Sequence, residues 1–201
     1  MSNYSGDMAT HSSDSTMDGR DRTHSAAPTY TRTAVALHWI AAFLIACNLA
    51  LGISMINVPL SPLKLQLFFW HKGIGITVFL AASARLLWRA THPAPPPVAM
   101  PVWQHRTAAA THAALYVLMF AIPLSGWIYS SATGVSVVYL GLVPLPDLVP
   151  KDKALAAVLK VFHGTLNFTL FLLVCVHVGA ALRHQFAHHD GVLSRMLPFL
   201  R

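Results

Sequence analysis

Four long apolar segments, Ala34 to Ile56, Leu65 to Trp88, Ala108 to Ser130 and Ala154 to Leu182, constrain this 201-residue chain more than any other feature. Each exceeds the ~20 residues that a helix needs to cross a hydrocarbon core of ~30 Å. Inside such a core every backbone polar group must find its partner within the protein, so each crossing is expected to be a helix. The breaks between segments are of the helix-stopping kind: Asn57, Pro59, Ser61 and Pro62 after the first, the proline-rich run Pro93 to Pro101 after the second, and Ser130 to Gly134 after the third. The stretch Val135 to Val149 is apolar but short and cut by Pro144 and Pro146, so it is expected to lie at the surface. The fold class that follows is an all-α membrane protein, a bundle of four transmembrane helices.

Residues 1–32 are rich in Ser, Thr, Asp and His and hold no apolar run, which reads as a disordered polar extension ahead of a membrane domain over residues 33–201. They also lack the apolar stretch of a signal peptide. Charged residues make up 10% of the chain, and the seven acids are all Asp, none of them inside an apolar segment. A net charge of +7 spread this thinly, on a chain this apolar, excludes a nucleic-acid binder. The cations do set an orientation. With the N-terminus inside, all nine arginines fall on the inner side: Arg20, Arg22, Arg32, Arg85, Arg89, Arg106, Arg183, Arg195 and Arg201. The five lysines (Lys64, Lys72, Lys151, Lys153 and Lys160) fall on the outer side. The excess favours N-in and C-in.

Twelve histidines are the second anomaly, because an ionisable residue inside a span needs a reason. His71 and His163 lie about 9 and 13 Å below the outer ends of their spans, and His38 and His177 about 6 and 8 Å below the inner ends. Two pairs at two depths result. His163 and His177 are 14 residues apart, close to a whole number of turns, so they share one helix face with a rise of about 21 Å between them. One transmembrane histidine is as readily a helix-to-helix hydrogen-bonding group as a ligand. Four in paired register on facing helices are what bis-histidine haem iron requires. Zinc fits less well, since its sites want three or four ligands. Gly73, Gly75 and Gly164 provide small residues beside these histidines. Arg85, 14 residues after His71, reaches the depth of the inner pair, where a haem propionate would neutralise it. His112 lies at the same depth and is read as a hydrogen-bonding or propionate contact. Pro123 is expected to kink the third span next to Gly126. Cys47 and Cys175 form no disulfide framework and are expected to be small buried residues.

The runs ALHWI around His38, FFWHKGIGI around His71, THAALYVLMFAIPLSGW in the third span and VFHGTLNFTLFLLVCVHVGAALRHQFAHHDGVLSRMLP from the fourth onward carry a resemblance. Over residues 30–198 the chain resembles the bacterial cytochrome b561 family of four-helix dihaem membrane proteins. The resemblance implies two b-type haems, an outer one on His71 and His163 and an inner one on His38 and His177. The chain looks most like the branch that includes superoxide oxidase, which takes electrons from periplasmic superoxide and reduces ubiquinone. In that branch the histidine matching His184 is associated with the quinone end, so His184 beside Arg183 is the candidate proton donor. The outer lysines would concentrate an anionic substrate. The alternative is an electron-transfer subunit that docks a redox partner protein, like the cytochrome b subunits of hydrogenases and formate dehydrogenases.

Overall fold

The computed structural model describes residues 29–96, 98, 100–188 and 193–197. Residues 1–28 of the expected polar extension lie outside the described residues. Four helices, α1 (Arg32–Asn57), α2 (Pro62–Thr91), α3 (Val102–Thr133) and α4 (Lys153–Arg183), carry the apolar segments. All four are long and apolar enough to cross a membrane.

Each helix is longer than its apolar segment, because its ends are set by capping groups and by proline rather than by hydropathy. The Thr31 hydroxyl accepts from the Ala34 N–H, Ser61 from Lys64, and Asp152 from both Ala154 and Leu155. Pro62 opens α2, where a missing N–H costs nothing. Gly134 ends α3 with a φ of 75°, a left-handed cap that suits glycine. Pro123 lies inside α3, which continues through it.

Packing is uneven. α1 packs on α2, α2 on α3 and α3 on α4, whereas α1 and α2 approach α4 only sparsely. The buried core is small: Ala41, Ala82 and Met119 in one cluster, Leu118, Ile122 and Leu170 in another. Most large apolar side chains, Phe43, Leu87, Val161 and Phe168 among them, are exposed, as a lipid-facing surface demands. One expectation is corrected here. Cys175 is exposed and Cys47 only half-buried, since α4 turns one face away from the bundle. Ala82 is the most deeply buried alanine of α2, against Ala41 and Met119.

The segment after α3 stays at the surface and forms a short hairpin, β1 (Val138–Tyr139) and β2 (Val143–Pro144). Leu140 (φ 54°) and Gly141 (φ 72°) make its turn, two successive positive φ values of the kind tight hairpins need. The hairpin is pinned to the helix ends: Tyr139 Oη meets Thr77 Oγ1 at 3.2 Å, Lys72 Nζ donates to the Val135 carbonyl and Trp127 Nε1 to that of Pro146. At the other end of the bundle, α4 runs into a π-helical turn (His184–His188), and a 3₁₀ turn (Leu193–Arg195) folds back. There Trp39 Nε1 donates to the Met196 carbonyl and Arg195 to that of Pro96. These features name the two ends below, the hairpin end and the tail end.

Candidate functional site

Histidine rings from α1 and α2 cross the sparsely packed space to meet α4. At the hairpin end His71 faces His163, with ring centroids 6.2 Å apart and planes at 88°. At the tail end His38 faces His177 at 6.3 Å and 64°. All four rings are half-buried. Imidazole nitrogens bind a metal at about 2 Å, which puts two rings on opposite sides of one ion roughly 6 Å apart between centroids. Both pairs have that spacing. Among the described residues no group of three or more His, Cys, Asp or Glu side chains is arranged to hold a metal ion, so a tetrahedral zinc-type site has no ligand set. A haem, which needs two axial nitrogens and space for a flat ring, does fit. Gly73 and Gly164, two residues and one residue beyond His71 and His163, have open space where a Cβ would stand.

The outer nitrogens of the hairpin-end pair are held by acceptors. His71 Nδ1 lies 3.2 Å from the Asn48 carbonyl, which can only accept. His163 Nδ1 lies 2.8 Å from Ser125 Oγ, whose own hydrogen goes to the Ile122 carbonyl, also at 2.8 Å. Both histidines are thereby fixed with the proton on Nδ1 and the lone pair on Nε2, the form that binds a metal. Two glycines press on the same rings. A Cβ at Gly126 would stand 3.0 Å from His163 Cε1, and one at Gly52 would stand 3.4 Å from His71 Cε1.

The tail-end pair is surrounded differently. Arg85 places NH1 2.6 Å from His38 Nδ1 and anchors its Nε on Tyr116 Oη at 3.0 Å, with the guanidinium carbon 5.6 Å from the Tyr116 ring centre. His112, one turn before Tyr116 on α3, brings its ring to 5.2 Å from that of His177. The structure therefore gathers His38, His177, His112 and Arg85 in one place. Arg183 is exposed at the end of α4, and His184 is half-buried at the start of the π-helical turn, about 10 Å of helix rise beyond His177.

Sequence reasoning missed Asn48, Ser125 and Tyr116. Tyr116 had a signal, since it stands four residues after His112 and so shares its face. Ser125, between Pro123 and Gly126, is 3% exposed in an apolar span, and a buried hydroxyl there needs a partner. Asn48 contributes through its backbone carbonyl, for which no side-chain signal exists.

Comparison with known proteins identifies the family. The family model of prokaryotic cytochrome b561 matches residues 29–199. Cytochrome b561 homolog 2 of Escherichia coli K12 is 32% identical over 178 residues, 84% of this chain and 90% of the relative. Cytochrome b561 homolog 1 of the same organism is 31% identical over 174 residues, 84% and 97% of the two chains. A probable superoxide oxidase CybB of Yersinia pestis is 30% identical over 129 residues, 64% of this chain and 73% of the relative. With a family match over nearly all of its membrane-spanning length, and b-type haem as the cofactor that match implies, the chain belongs to the prokaryotic cytochrome b561 family of multi-pass membrane electron carriers.

Proposed function

We propose that this protein is a dihaem cytochrome that oxidises superoxide on the periplasmic side of the inner membrane and reduces ubiquinone. The observation that carries the reading is the pair of facing-histidine sites on one face of α4, each at the spacing of axial ligands. His71 and His163 would hold the periplasmic haem, and His38 and His177 the cytoplasmic one. Haem supplies one-electron chemistry when bound. The overall reaction balances as two superoxide anions, one ubiquinone and two protons giving two dioxygen molecules and one ubiquinol.

The chain's own residues do the rest. Lys64, Lys72, Lys151, Lys153 and Lys160 present positive charge at the hairpin end, which raises the local concentration of an anion and its rate of arrival. Lys72 is held over the His71 end of α2 by the Val135 carbonyl. Asn48 and Ser125 orient the two hairpin-end ligands. His184, beside the exposed cation of Arg183, would pass a proton to a reduced quinone at the tail end. The name of the Yersinia pestis relative supports superoxide as the donor.

Mixing oxidised protein with a pulse of superoxide in a stopped-flow spectrometer, with and without a soluble ubiquinone, tests this. Fast haem reduction that quinone then drains is the expected result. Haem bands that stay oxidised under superoxide yet respond to a quinol would replace the oxidase by a carrier fed from a partner protein.

A further inference from the structure

At the tail end, hydrogen-bond donors and acceptors are mismatched for metal binding. A guanidinium only donates, so the short Arg85–His38 contact makes Nδ1 the acceptor and puts the imidazole proton on Nε2. A neutral imidazole has one lone pair, and here Arg85 takes it. His38 therefore ligates through Nε2 only when Arg85 leaves Nδ1. Arg85 is half-buried within α2, where an unpaired cation is costly, so it leaves His38 only for another partner. It cannot travel far either, since its Nε is anchored on Tyr116 Oη. What remains is a swing of the NH1 end from His38 to an anionic acceptor close by. Among the described residues no Asp lies near this site, the described acids being Asp147 and Asp152 at the hairpin end. The acceptor must arrive with the ligand.

We propose that Arg85, pivoting on Tyr116, makes the tail-end site specific for an iron porphyrin that carries free carboxylate side chains, and that the hairpin-end site has no such requirement. The proposal rests on the haem reading above. A carboxylated porphyrin draws Arg85 off His38 and releases the ligand in the same movement. A porphyrin without carboxylates leaves two unfavourable choices, a blocked His38 or a stranded arginine. At the hairpin end the ligand tautomers are already set by the Asn48 carbonyl and Ser125 hydroxyl, so ring and iron alone suffice. Arg85 is on this view a positioning and specificity residue rather than a catalytic one.

The test is to synthesise the full chain cell-free into lipid nanodiscs with either haem or haem dimethyl ester, in which both carboxylates are masked, and to count bound iron porphyrin per chain from bis-histidine absorbance. Two haems but only one ester are expected per chain, and His163→Ala should abolish the ester that binds. Arg85→Leu should admit a second ester, reducing at least tenfold discrimination at that site to almost none. Tyr116→Phe, which keeps the cation but frees its pivot, should weaken discrimination and serves if Arg85→Leu does not fold. Two esters on the unaltered chain, esters at neither site, or an Arg85→Leu chain that still refuses the second would overturn the proposal. Failure to bind haem at either site would overturn the haem reading itself, whereas a failed superoxide reaction would leave this result standing.

Discussion

The two histidine pairs have nearly the same ring spacing, 6.2 and 6.3 Å, yet their surroundings are opposite in character. The hairpin-end rings are gripped by neutral acceptors and lie where a side chain at Gly52 or Gly126 would crowd them. The tail-end rings stand among a cation, a phenol and a third imidazole. Ring spacing reports what can be bound; the groups on the far nitrogens report under what conditions. One site is set in advance, and the other depends on its ligand to rearrange a charge.

The largest effect expected from this contrast is a clean separation of the two sites. His163→Ala should remove one haem per chain and leave the other spectroscopically intact, and His38→Ala should do the converse; loss of neither in a haem count would end the ligand assignment. Next comes Gly126→Leu. A Cβ there would already stand 3.0 Å from His163 Cε1 and a leucine would push the ring further, so the hairpin-end site alone should be lost or distorted, at about 1–3 kcal/mol in stability by thermal melting. Ser125→Ala should act more gently. It leaves His163 Nδ1–H without its acceptor, a cost of about 1–3 kcal/mol that haem titration should register at the hairpin end only. Smallest is Tyr116→Phe, which deletes a single side-chain hydrogen bond and should weaken tail-end haem binding by about 1 kcal/mol, with the hairpin end unmoved. Any of these that altered both sites equally would dissolve the contrast.

Much of this was legible before any coordinates. The four crossings were, because burial in hydrocarbon leaves a long continuous signature, and so were the two histidine depths, because helix rise is constant and spans alternate in direction. Arg85 was placed at the correct depth by the same count. Its partners were not, since whether a guanidinium meets His38, Tyr116 or neither depends on helix rotation and side-chain torsions that spacing does not encode. Helix ends were read too short, because Thr31, Ser61 and Asp152 act through single hydrogen bonds outside the apolar segments. The hairpin escaped notice for a related reason: Leu140 holds a positive φ that a leucine rarely adopts, so its sequence carries no turn signal. Ser125 was visible as a buried hydroxyl, but its role required knowing that α4 packs on α3.

The fold-back at the tail end has a consequence for the order in which the molecule is made. The Trp39–Met196 bond joins positions 157 residues apart, and the Arg195–Pro96 bond joins positions 99 apart. Contacts of such long range close late, after nearer neighbours have paired. Trp39 directly follows His38, and their rings touch edge to face at 5.3 Å. During synthesis the Trp39 indole therefore waits for its acceptor until almost the whole chain has been translated, long after Arg85 has become available to His38 beside it. A ribosome stalled before residue 196 would leave a protein with all four helices made and the Trp39 clasp at the tail end still open.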